Sequence, residues 1–123
     1  MSQTWKLSWN SKFYNYKQLI KDYNNNKHSG IIFQQKGNAR MVCLPKIGDI
    51  VYISCDKLKI MKCKVVSNFT LYYESIITDI YDVKMGNISN NNNEYLKIQI
   101  IKIYNKPDIF NGNQRTWSKY KAF

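Results

Sequence analysis

Three cysteines and one histidine are the residues of this 123-residue chain best suited to nucleophilic or metal chemistry, and their spacing argues against both. Cys43, Cys55 and Cys63 never stand at the short intervals of a zinc site, and His28 has no second histidine to join it. Cys55 and Cys63 read instead as small hydrophobes on strands. A Ser/His/Asp or Cys/His triad would have to be built on His28, which lies in the polar turn Asn24–Gly30, a poor mounting for a base that must be held rigidly. The expectation is therefore no metal, no cofactor and no enzymatic centre. The opening Met1–Lys6 lacks the apolar stretch of a secretory leader, which predicts an intracellular protein with reduced cysteines.

Charge carries more information. Lys and Arg number 19 against 8 Asp and Glu, a net charge of +11. Residues 1–64 hold twelve basic and three acidic side chains, a net of +9, whereas residues 65–123 hold seven and five, a net of +2. So uneven a field attracts a polyanion and speeds its arrival; the plainer reading is a lysine-rich solvated surface. Only Arg40 and Arg115 represent arginine, and Asn, Lys, Ile and Tyr are over-used, as the codons of an A+T-rich genome would impose. No apolar run approaches the roughly 18–20 residues of a membrane span.

The elements that must position these groups follow from periodicity. Thr4 to Ser8 reads as a strand with Trp5, Leu7 and Trp9 sharing parity, and Asn15 can cap a helix over Tyr16–Tyr23. Strands are predicted at Ile31–Gln34, Ile50–Cys55 and Leu58–Phe69, the last two forming a hairpin. Ile76–Met85 is ambiguous between strand and helix, Asn87–Asn93 is a polar loop, and Pro107–Phe123 has little periodicity. Along Glu94–Tyr104 the apolar parity switches between Ile100 and Ile101, which predicts a β-bulge or a strand curling into a barrel. One domain over 1–123 is expected, of α+β class: a small mixed β-barrel with one or two short helices packed on it.

Trp5-Lys6-Leu7-Ser8-Trp9-Asn10-Ser11-Lys12, followed by an aromatic-rich helix, resembles the start of EVE-type domains of the PUA-like superfamily, which are related to the YTH modified-base readers. Pro45-Lys46-Ile47-Gly48-Asp49 before the run Ile50–Ile53 is similar to a Gly-Asp element of the same family. The resemblance implies a PUA-like barrel that binds one modified base of a nucleic acid, N6-methyladenine in RNA or modified cytosine or adenine in DNA. Such a base leaves its strand and regains stacking of about 1–3 kcal/mol per aromatic face, with hydrogen bonds to its polar edge.

On that resemblance the base-binding residues would be Trp9, Asn10, Phe33, Gln34, Asn38 and Trp117, with Gly112 letting backbone approach. Phe33 stands where similar domains carry a tryptophan, so its stacking face is smaller. Lys12, Lys17, Lys36, Arg40 and Arg115 would bind phosphate, and Lys21, Lys57, Lys59, Lys62 and Lys64 are further candidates for tracking the backbone. Trp5 is assigned to the core. With no nuclease motif in the chain, a reader of this kind acts alone or with a separate effector protein. Two alternatives stay open: a basic protein-interaction or structural factor with no base pocket, and an enzyme on modified nucleosides using a lysine such as Lys6 with a nearby acid.

Overall fold

The computed structural model describes residues 3–9, 11, 14–35, 44–55, 58–73, 81, 92–104 and 118–119. In chain order these form β1 (Thr4–Trp9), α1 (Tyr16–Asn24), β2 (Ile31–Gln35), β3 (Ile50–Cys55), β4 (Leu58–Val65), β5 (Thr70–Tyr73), β6 (Asn92–Ile103) and β7 (Ser118–Lys119). The expected strands and helix are present within a residue or two, except that the fourth stops at Val65. β5 and β7 were not anticipated.

All the strands belong to one mixed sheet in the order β2-β6-β4-β3-β1-β7, with β5 also paired to β6. Tyr95 of β6 faces Gln35 of β2 across one edge and Thr70 of β5 across the other, so β5 continues the β4 side of that long strand. β1 and β3 run parallel, Trp5 beside Val51 and Leu7 beside Ile53, whereas β3–β4, β4–β6 and β2–β6 are antiparallel. A parallel pair needs a crossover; here the connection carries α1 and β2.

Period-two alternation sends Trp5, Leu7, Val51, Ile53, Cys63, Val65, Leu96 and Ile98 into a single core, closed on one side by Leu19 of α1. Asn15 caps the helix as expected, its Oδ1 accepting from the Gln18 amide at 3.3 Å. Cys55 and Cys63 are buried on β3 and β4 and form no disulfide, and burial pushes the Cys63 thiol far above its usual range, which makes it a packing group.

Two register shifts curl the sheet into a half-barrel. Lys62 faces Lys102 but Cys63 faces Ile100, which leaves Ile101 as an extra residue in β6. Ile53 faces Met61 but Ser54 faces Lys59, leaving Ile60 extra in β4. Such bulges bend the strand and raise its twist. Ile101 is 48% exposed, while Ile103 returns to pack against the core, so the parity switch in the sequence is a bulge.

The Gly48-Asp49 element ties the start of β1 to the turn before β3. Asp49 Oδ2 accepts from Trp5 Nε1 and from the Lys46 amide, both at 2.9 Å, and Oδ1 accepts from the Gln3 amide at 2.9 Å. Burial alone would raise the pKa of this carboxyl; the three donors and the Lys46 charge outweigh it and hold the group below its usual range. Trp5, 2% exposed, is a core residue with its one polar atom satisfied.

Candidate nucleic-acid interface

Trp9 is the last residue of β1 and Gln34 the last but one of β2, strands separated in the sheet by β3, β4 and β6. Their side chains nevertheless meet: Trp9 Nε1 donates to Gln34 Oε1 at 3.1 Å. Curling brings the two ends of the half-barrel near enough for this bond, and both residues share parity with inward neighbours, Trp9 with Leu7 and Gln34 with Ile32.

Around that bond lies a run of rings. Tyr14 packs on Trp9 with centroids 4.4 Å apart and planes tilted 37°. Tyr14 lies 6.5 Å from Tyr81, which in turn meets the edge of His28 at 5.5 Å. Tyr81 is held from two sides: its carbonyl accepts from the Asn15 amide at 2.7 Å, and its hydroxyl donates to Asp22 Oδ2 at 2.6 Å. The Tyr81 hydroxyl, and then the Gln18 amide, keep the Asp22 carboxyl below its usual range. His28 Nδ1 accepts from the Gly30 amide at 2.9 Å, so the ring serves its turn.

Phe33 does not join this group. Consecutive residues of a strand point to opposite faces, so Gln34 inward places Phe33 outward. There it meets Tyr72 edge-on at 5.5 Å, with Lys97 Nζ 5.4 Å from its ring. Phe33 and Gln34, both expected at the base site, thus lie on opposite faces of β2. Lys17 and Lys21 are exposed on α1, opposite the Leu19 side that packs on the core.

Asn10, Lys12, Lys36, Asn38, Arg40, Lys57, Gly112, Arg115 and Trp117 lie outside the described residues, as does 76–85 apart from Tyr81. Tyr14 and Tyr81 were missed by the sequence reading. Tyr14 precedes a recognised cap and carried a readable signal, whereas Tyr81 sits in a segment of ambiguous period. Among the described residues no group of three His, Cys, Asp or Glu side chains could hold a metal ion, and no helix is long and apolar enough to cross a membrane.

No family model, curated protein or solved structure matches the chain. Its functional reading rests on the side chains themselves.

Proposed function

We propose that the chain is a non-enzymatic module that binds nucleic acid and takes one modified base, N6-methyladenine in RNA or a modified cytosine or adenine in DNA, at the rim where Trp9 and Gln34 meet. On this reading the curled sheet is a barrel of PUA-like, EVE type. The observation that carries it is the Trp9–Gln34 hydrogen bond. An indole N–H only donates, so it fixes the amide with Oε1 toward Trp9 and turns the two Nε2 donors away, toward whatever enters. An aromatic plane beside an oriented amide is what a base needs for stacking and for reading its acceptor edge.

None of the ring pairs given above stands parallel at the roughly 7 Å that sandwiches a base, so Tyr14 backs one face of Trp9 and the base stacks on the other. Lys12, Lys17, Lys36, Arg40 and Arg115 are proposed to hold phosphates, with Asn10, Asn38 and Trp117 completing the rim. The engagement of His28 Nδ1 by its own turn supports binding without catalysis. A separate protein would supply any downstream effect.

Titration of labelled oligonucleotides with and without the modification tests this reading. A methyl group meeting apolar wall adds roughly 0.8 kcal/mol, about a four-fold preference. Equal affinity for modified and bare strands, in both RNA and DNA, would overturn it. Gln34→Leu should remove the preference while leaving general binding in place.

A further inference from the structure

The outward face of the sheet carries a second arrangement, independent of the rim. Lys6 of β1 faces Tyr52 of β3, Tyr52 faces Lys62 of β4, and Lys62 faces Lys102 of β6. These four positions form one row across four strands. All alternate with buried inward residues: Trp5 and Leu7, Val51 and Ile53, Met61 and Cys63, with Lys102 placed outward by the Ile101 bulge. Lys59 stands over the same row, its Nζ 5.3 Å from the Tyr52 ring centroid and 4.8 Å from that of Tyr104. Lys62 Nζ lies 5.9 Å from Tyr52, and Lys102 Nζ 5.1 Å from Tyr104. Further along the outward side of β6, Lys97 and Phe33 repeat the pattern, beside Tyr72 and Tyr95. Exposed Lys64, facing Gln99, lies between the two groups.

Asp49 bonds inward to Trp5, and Asp22 of α1 accepts from Tyr81. Lys62 and Lys102 are like charges directly opposite one another, an arrangement that weakens a sheet. Cations set beside aromatic rings offer the two kinds of contact that a polynucleotide with unpaired bases takes. Phosphates meet lysine, and bases lie on aromatic faces. A duplex hides those faces and an acidic peptide lacks them.

We propose that this outward face binds single-stranded nucleic acid, with Tyr52 and Tyr104 as stacking platforms and Lys6, Lys59, Lys62, Lys64, Lys97 and Lys102 as phosphate contacts. The path along β6 from Lys102 to Lys97 is about 17 Å at strand rise. It is read without any base modification, so it stands whether or not the rim selects a modified base.

Fluorescence anisotropy on the full chain tests it, with an unmodified 15-mer of deoxythymidine, the same length of uridine, a mixed-sequence duplex, and polyglutamate of matched charge. Both single strands should bind more tightly than duplex or peptide. Paired Lys62→Gln and Lys102→Gln changes should flatten the slope of log affinity against log salt by about 1.4 for single strands, since each lost phosphate contact removes about 0.7. They should also leave the melting temperature unchanged or higher, because a repulsion is removed. Tyr104→Leu should weaken single strands at least about five-fold and leave duplex binding alone. Equal binding of polyglutamate, an unchanged salt slope in the double variant, or full single-strand affinity after Tyr104→Leu would each overturn the proposal. The lysine double variant keeps the test decisive if the tyrosine variant fails to fold.

Discussion

Trp9 donates its indole N–H to the side-chain oxygen of Gln34 at 3.1 Å, joining strands that have three others between them in the sheet. The bond therefore reports closure of the curl as well as the local chemistry of the rim. Gln34→Leu and Trp9→Phe, alone and together, should show a coupling of about 0.5–1.5 kcal/mol in denaturant unfolding. Additive single effects would mean that the bond contributes nothing to closing the sheet.

Asp49 makes stability depend on acid. Its folded pKa lies below the unfolded value of about 3.9, so its contribution is whole above about pH 4 and is lost as pH falls through the depressed folded value. Asp49→Asn keeps the shape but gives up the charged acceptor shared by Trp5, Lys46 and Gln3. It should cost about 1–3 kcal/mol at neutral pH, and the gap from the parent should shrink in melts taken from pH 6 down to pH 2.

Gly30 and Gly48 both have positive φ, at 86° and 96°, but their surroundings differ. A methyl group at Gly30 would stand 2.7 Å from Gln99 Nε2 and 2.7 Å from Tyr23 Cε1, whereas one at Gly48 meets nothing within 4 Å. Gly48→Ala should cost about 1 kcal/mol from backbone strain alone. Gly30→Ala should cost clearly more, since it also forces the Tyr23 ring away. Chemical denaturation of the two variants side by side checks the order.

Cys63 is fully buried and its thiol is pushed up by desolvation, so the nucleophilic thiolate is scarce in the folded state. Peptide mapping after brief iodoacetamide treatment should find Cys63 unmodified in native protein and alkylated in urea. Modification at comparable rates in both would place it at the surface.

Much of the scaffold could be read from local pattern. The parity of Trp5, Leu7 and Trp9, the Asn15 cap and the Ile100–Ile101 switch each encode one feature of backbone geometry within a few residues, and each appears as expected. The site was less legible. Phe33 and Gln34 are neighbours on one strand, and alternation sends their side chains to opposite faces, which the resemblance does not anticipate. The pairing of Trp9 with Gln34 depends on how far the sheet curls, which no local window contains. The row from Lys6 to Lys102 was hidden for the same reason: its members are adjacent only once the register of four strands is set. β5 carries good strand formers in Thr70, Tyr72 and Tyr73, but the run Thr70-Leu71-Tyr72-Tyr73 is too short and lacks the apolar–polar alternation that would announce it.

The parallel pairing of β1 with β3, and the antiparallel pairing of β2 with the late strand β6, bear on how the chain reaches this state. Thr4 waits for Ile50 and Ile31 waits for Gln99, so on a ribosome the first strands emerge long before their neighbours are made. The β3–β4 pairing is local in sequence whereas those of β1 and β2 are long-range, which predicts slow, topology-limited folding.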